Sequence, residues 1–292
     1  MAKGTKELKR RMTGVKNIQQ ITRAMEMVAT QKLKRLQMRA EAARPFAEKI
    51  QQMVARLAGS VRPELSPLLG AREVKVTANL VVSADKGLCG GYNTNLVRLV
   101  QAEIPRGSGA RHKVRVLGSK GGSLVRARGV ELLGVYEDAV EKLDFTRARN
   151  IAREHVADFL AGKVDEVRLI YTSFRSASSQ KPVVVTLLPI QAESLAPAAA
   201  APTAAAPADV LIEPSPEELL KSLLPKYLEI KVYSAILESL ASEFTARRNA
   251  MKQATDAADE MIGALRRQYN RARQESITKE LLEVVSGAEA LK

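Results

Sequence analysis

Ser215-Pro216-Glu217-Glu218 opens a stretch that runs to Lys292 and reads as one long helix. Ser215 suits the cap, Pro216 the first helical position, and Glu218 the far corner of a capping box. Pro225 is expected to kink the helix. After it come no proline and only two glycines, Gly263 and Gly287. On a seven-residue period Leu237, Phe244, Met251, Ala258, Leu265 and Ala272 share one seam position. Leu240, Ala254 and Met261 share the other, interrupted by Arg247 and Gln268. This is a coiled-coil stripe. From Lys226 to Ser286 it would span roughly 90 Å, so it needs a partner helix.

The partner lies at the other end of the chain. Residues 1–57 carry Leu8, Met12, Val15, Ile18, Ile21, Met25, Val28, Leu33 and Leu36 at three- and four-residue steps, with a drift in phase near Lys32. Gly14 weakens this helix, and Pro45 marks a kink or an end. Residues 1–40 hold eleven basic and two acidic residues, whereas Leu237–Lys292 holds nine of each sign. Most of the basic excess therefore rides on the first helix. An antiparallel pairing with Leu36 near Leu237 sets residue 1 beside Ala272. The last twenty residues then project alone, still carrying Ile277, Leu281, Leu282, Val284, Val285 and Leu291. An apolar tip with no partner in its own chain calls for a sleeve from another protein.

Between the helices the period changes. Val74–Ser83 reads as a buried strand, Gly87–Gly91 as a turn, and 93–103 as a helix. Val114–Leu117 is a strand, and Gly118–Gly122 turns into a short helix. Val130–Tyr136 and Thr146–Gly162 follow as strand and helix. Glu166–Phe174 and Val183–Pro189 form a strand pair joined by a polar turn at Arg175–Lys181. Alternating strands and helices predict a compact α/β domain with an antiparallel edge. Residues 194–207 are almost all Ala and Pro, the composition of a flexible insertion. The expected architecture is α/β: a long antiparallel coiled coil of the terminal helices plus a central Rossmann-like domain. Its parts are a helix at 1–57, the α/β domain at 74–190, the Ala/Pro segment at 191–214, and the second helix at 215–292.

Composition narrows the function. A net charge of +14 asks for acidic partners: nucleic acid, anionic lipid or acidic protein. Cys89 alone rules out an internal disulfide and a Cys-rich zinc site. His112 and His155 sit in unrelated contexts, so no metal or other cofactor is expected. No apolar run reaches membrane-spanning length, and the first residues lead straight into an amphipathic pattern without a signal-peptide core.

Two glycine turns invite a phosphate reading. Gly87–Gly91 lacks the Gly-Lys-Ser/Thr ending of a nucleotide loop, and a structural turn is favoured. Gly118-Ser119-Lys120-Gly121 follows a strand and opens a helix, the right setting for phosphate, yet the loop is short and holds one lysine. Cys89 in its glycine turn reads as tolerated rather than reactive.

Three blocks resemble the gamma subunits of F-type ATP synthases: Val15–Val28 with Lys32-Leu33, Ser83–Asn93, and Tyr269–Gln274 running into Ile277–Leu281 and Val285–Ala288. The resemblance implies a central-stalk rotor. It would couple proton flow through the membrane c ring to ATP synthesis or hydrolysis in a ring of three alpha and three beta subunits, and regulate ATPase activity and proton flow. The chain itself would be non-catalytic, with epsilon and the c ring at its foot. It would be peripheral to the cytoplasmic face of a bacterial inner membrane, reached only through the complex. Carried onto this sequence, Arg273 and Gln274 match a pair that bonds an acidic loop of beta. Arg23 and Met25, with Lys9, Arg10 and Arg11, match a face meeting beta's acidic levers, and Lys86 and Cys89 match a turn close to the same loops. Ile277, Leu281, Leu282, Val284 and Val285 form the bearing tip. Glu275 departs from the small apolar residue usual there, which would weaken attraction to an acidic loop.

Two rival readings stand beside it. A basic coiled-coil protein binding nucleic acid fits the charge, but stacking aromatics are not interleaved with the basic residues. An enzyme in the α/β domain needs a convergent acid/base set, and neither histidine nor Cys89 has an evident partner.

Overall fold

The computed structural model describes residues 3–58, 66–104, 111–137, 144–176, 179–191, 213 and 215–289. The Ala/Pro segment expected at 191–214 therefore falls outside the described residues apart from Gln191 and Glu213, as does Leu291. The elements in order are α1 (Lys3–Ala58), β1 (Val76–Val82), α2 (Tyr92–Glu103), β2 (Arg111–Leu117), α3 (Ser119–Ala127), β3 (Leu132–Tyr136), α4 (Phe145–Leu160), β4 (Glu166–Phe174), β5 (Gln180–Leu188) and α5 (Pro216–Glu289). They fall into two compact units, Met1–Gln31 with Arg247–Lys292, and Lys32–Ala246.

In the first unit α1 and α5 run antiparallel. Thr22 Oγ1 lies 2.8 Å from Thr255 Oγ1, and Gln19 bonds Asp259. The register thus differs by about one helical turn from the expected one, which would set Thr22 near Met251. The seams differ as well. On α5 the second line of inward positions runs through buried Thr255 and half-buried Ile262, while Met261 is exposed. On α1 the inward residues are Thr5, Leu8, Met12, Val15, Gln19, Thr22, Glu26 and Ala29, in an unbroken alternation of three and four. Ile18, Ile21 and Val28, expected in the stripe, are exposed. Without them the drift near Lys32 vanishes, since Leu33 and Leu36 continue the same line. Apolarity alone misplaced the seam because small polar residues occupy it.

Both prolines lie inside uninterrupted helices, Pro45 in α1 and Pro225 in α5, so neither ends one. Ser215 caps α5 by accepting the Glu218 N–H at 3.2 Å.

The second unit holds a five-stranded sheet in the order β3-β2-β1-β4-β5. The first four strands are parallel and β5 is antiparallel to β4. β5 begins at Gln180, earlier than the expected Val183, because Gln180 pairs with Phe174 and shortens the polar turn. Pro182 is tolerated there on an edge strand. Val114 and Val116 of β2 join Val81, Ile170, Leu96, Val97, Val100 and Val125 in one core beneath α2 and α3. Arg115, between the two valines, points the other way and bonds Asp158 of α4 at 3.2 Å. The crossover helices therefore cover both faces, as in a doubly wound sheet.

Candidate functional site

In α1, Lys9, Arg10, Arg11 and Arg23 are exposed and Met25 is half-buried. They do not form one patch. Arg23 and Met25 are two residues apart, about 200° around a helix. Lys9, Lys16 and Arg23 recur every seven residues and line one flank of the seam. Met25 falls on the other flank with the exposed Ile18, Ile21 and Val28. Arg11 is engaged locally with Glu7 at 2.6 Å. This helix thus has a basic ridge and a separate apolar ridge, the second exposed where the periodicity predicts burial.

In α5, Arg273 and Gln274 are exposed. Glu275 is paired with Arg271, Nε to Oε1 at 2.9 Å, so its carboxylate has a counter-charge within its own helix. Beyond them Ile277, Leu281, Leu282, Val284 and Val285 are between 51% and 72% exposed. Five large aliphatic side chains on one helix end, all in water, are a surface waiting to be covered.

The turn between β1 and α2 separates its residues. Lys86 is exposed, while Cys89 is only 2% exposed and clusters with Ala84 and Tyr92 against Ala246. Asn93 donates to its Sγ at 3.3 Å. Between them Leu88 holds a left-handed backbone at φ 61° with its side chain 63% exposed. That conformation is strained for any residue with a Cβ, and an aliphatic knob held there in water is the feature the residue types did not disclose.

The second glycine turn is built for close approach. A Cβ on Gly118 (φ 101°) would lie 2.7 Å from the Ser83 carbonyl oxygen, and one on Gly121 would fall onto the Ser83 side chain. The α3 N-terminus already has an anion, since Ser119 N–H donates to Asp85 Oδ1 at 3.2 Å. Glycine there lets the start of α3 sit against Ser83 and Ala84, just past the end of β1.

A doubly wound sheet binds ligands where its crossovers diverge, beyond the carboxyl ends of two neighbouring strands. Here those strands are β1 and β4, and α5 fills the place. The last β1–β4 pair is Val81 with Ile170. The next donor, Thr172 N–H, and the next acceptor, Val82 C=O, both go to Ser239 Oγ, at 3.4 and 3.3 Å. Tyr92 Oη completes the set at 2.7 Å from the same oxygen. Burial, with Glu243 nearby, raises the Tyr92 pKa, so the phenol stays protonated.

The histidines stand apart. His112 Nδ1 lies 3.3 Å from Asn79 Nδ2, and burial with Arg168 beside it lowers its pKa. His155 is enclosed in α4 with no hydrogen bond to either ring nitrogen. Among the described residues no three potential metal ligands come together, and no helix is long and apolar enough to cross a membrane.

These features define a class: an α/β domain between two long terminal helices in chain order, with the Ser239 turn of the second helix lodged where such a sheet would bind its ligand. The chain belongs to the ATP synthase gamma chain family. The family model described as ATP synthase matches residues 4–291. The chain is 45% identical over 287 residues to the ATP synthase gamma chain of Moorella thermoacetica, covering 98% of this chain and 99% of the other. With that of Heliobacterium modesticaldum it is 44% identical over 291 residues, covering 99% of each. Among solved structures it resembles a chain of the Tetrahymena thermophila mitochondrial ATP synthase central stalk and c ring (TM-score 0.58, 28% identity, 80% of this chain and 99% of that one). A chain of the Euglena gracilis OSCP/F1/c-ring assembly shares the fold, with a TM-score of 0.68 at 19% identity over 99% of this chain and 94% of that one.

Proposed function

We propose that the chain is the central rotor of an F-type ATP synthase, coupling proton flow through the c ring to ATP synthesis or hydrolysis by rotation. Chemistry on ATP belongs to the alpha and beta subunits, three of each, and this chain is a non-catalytic subunit. The observation that carries the reading is the exposed Ile277–Val285 helix end, which has the chemistry of a shaft tip seated in an apolar bearing. Rotation brings one asymmetric surface to three equivalent sites in turn. Each site's conformational equilibrium is then biased by contacts it makes only at that angle.

In this reading Arg273 and Gln274 bond an acidic loop of beta, with the Arg271–Glu275 pair keeping the neighbouring carboxylate from repelling it. The basic ridge of Lys9 and Arg23 meets beta's acidic levers from one flank of α1, with Arg10 and Arg11 nearby. Met25 meets them from the apolar flank. Lys86 and the turn that buries Cys89 approach the same loops. Epsilon and the c ring hold the α/β domain, and through these contacts the chain also regulates ATPase activity and proton flow. The working parts are the helices at 1–57 and 215–292, the domain at 74–190, and the segment at 191–214. The complex places the chain at the cytoplasmic face of a bacterial inner membrane, peripheral to the bilayer. No observation favours a nucleic-acid partner.

Truncation after Ile277 tests the bearing, and Arg273→Ala with Gln274→Ala tests the catch, both in complexes reconstituted into vesicles. Truncation is expected to impair assembly or torque while the α/β domain stays folded, and the double substitution to lower proton-driven ATP synthesis. Normal synthesis by the truncated chain would overturn the bearing, and unchanged turnover by the double variant would overturn the catch.

A further inference from the structure

We propose that the polar node around Ser239 is the torsional anchor that makes α5 and the α/β domain turn as one body. The inference rests on the rotor reading and adds the place where torque passes between helix and sheet. A helix packed on a sheet by aliphatic contact alone is held by a force without direction, so it resists separation better than rolling or sliding. Hydrogen bonds hold angle as well as distance. On one turn of α5 the structure concentrates them against the end of a single strand. Ser239 Oγ receives Thr172 N–H and lies against Val82 C=O, Ser242 Oγ donates to Thr172 C=O at 3.1 Å, and Ser173 Oγ donates to Glu238 at 3.0 Å.

The chemistry at Ser239 is fully used. Its hydroxyl has one proton and two lone pairs. Donating to Val82 and accepting from Thr172 N–H and Tyr92 O–H, it leaves nothing for water, and its side chain is completely enclosed. Tyr92 brings the start of α2 into the same joint, so one oxygen ties together β1, β4, α2 and α5. Ser239 therefore extends the β1–β4 ladder by one step with a helix side chain in place of a strand. Ser239, Ser242 and Tyr92 are positioning residues: they touch no partner, and act by fixing the angle of the helix that does.

The test is the torsional stiffness of single assembled complexes, read as the angular variance of a bead fixed to the α/β domain while the shaft is stalled in the alpha/beta ring. Tyr92→Phe removes one hydroxyl and keeps the ring. Ser239→Ala removes the centre of the node. Ile236→Val, at a fully buried α5 position, removes a methylene and no hydrogen bond, and thermal unfolding of each purified chain gives its stability loss. Both polar variants are expected to raise the angular variance roughly two-fold, the double no further than the worse single, since one network is broken. Ile236→Val is expected to leave it unchanged. Wild-type variance in Tyr92→Phe overturns the anchor, and so does an equal rise in Ile236→Val, because softening would then follow stability alone. Should Ser239→Ala fail to assemble, Tyr92→Phe against Ile236→Val still decides. Failure of the rotor reading is distinguishable, because the shaft would then not turn under ATP in the wild-type complex.

Discussion

Thr22 and Thr255 face each other across the antiparallel helices with their hydroxyl oxygens 2.8 Å apart, both side chains buried in the seam. Each also lies within reach of a carbonyl of its own helix, Thr22 of Gln19 at 3.0 Å and Thr255 of Met251 at 2.9 Å. With one proton per hydroxyl, one threonine donates across the helices while the other donates to its own carbonyl. Replacing either with Val removes the cross-helix bond and leaves the other hydroxyl with its own-helix carbonyl alone, at about 1 kcal/mol. Replacing both leaves an apolar pair of the same shape, so the double variant should lose less than the two singles together. Urea unfolding of the purified chain measures all three. Strict additivity would show that the hydroxyls do not act on each other.

That pair also marks what could be read in advance. The long helices, the parallel sheet with its antiparallel edge, and the apolar tip follow from periodicity, β-branched runs and glycine positions, which are local signals. The register between α1 and α5 depends on which residues meet, and here Thr22, Thr255, Gln19 and Asp259 meet. A count of apolar residues passes over all four. It took Ile18, Ile21 and Val28 for core because nothing in a residue's type says which of two apolar ridges faces inward. Leu88 escaped for a related reason, since its left-handed backbone is set by the turn around it. Ser239 carries no local signal either, because its part is set by the ends of β1 and β4 that meet it in the fold.

Gly121 gives a test in which the sign of the effect should reverse. A Cβ there meets the Ser83 side chain, while the Ser83 Cα stays 3.6 Å away. Gly121→Ala should therefore destabilise by about 2 kcal/mol through overpacking. In a Ser83→Gly background the obstacle is gone, and Ala, the better helix former, should be neutral or stabilising by up to about 1 kcal/mol. Thermal unfolding of the four chains gives the answer. A Gly121→Ala penalty that is the same in both backgrounds would locate the constraint elsewhere.

Leu88 couples strain to exposure. Its left-handed backbone is unfavourable for leucine by roughly 1 kcal/mol, and its side chain gains nothing from the fold. Asn tolerates that conformation, so Leu88→Asn should raise the stability of the isolated chain by about 0.5–1 kcal/mol. If the strain is kept because the knob meets a partner, the same variant should lower ATP synthesis in reconstituted complexes. Higher stability with unchanged synthesis would leave Leu88 without a role in contact.

His155 ties the stability of the α/β domain to pH. Its side chain is 1% exposed and neither ring nitrogen has a hydrogen-bond partner. Burial first, and Arg115 second, bring its pKa from 6.5 down to about 4, while Glu154 and Asp158 pull the other way without prevailing. The folded state thus binds fewer protons than the unfolded one between these values. Stability from this group is full above about pH 6.5 and is lost as pH falls toward 4, where the loss levels off at about 3 kcal/mol. His155→Leu fills a similar volume and removes the titrating group without stranding a partner. The difference in unfolding free energy between variant and wild type should therefore grow in the variant's favour from pH 7 to pH 4.5. Groups remote from the imidazole contribute equally to both chains and cancel. A difference that stays flat over those pH values would mean the imidazole takes up its proton without opening the core.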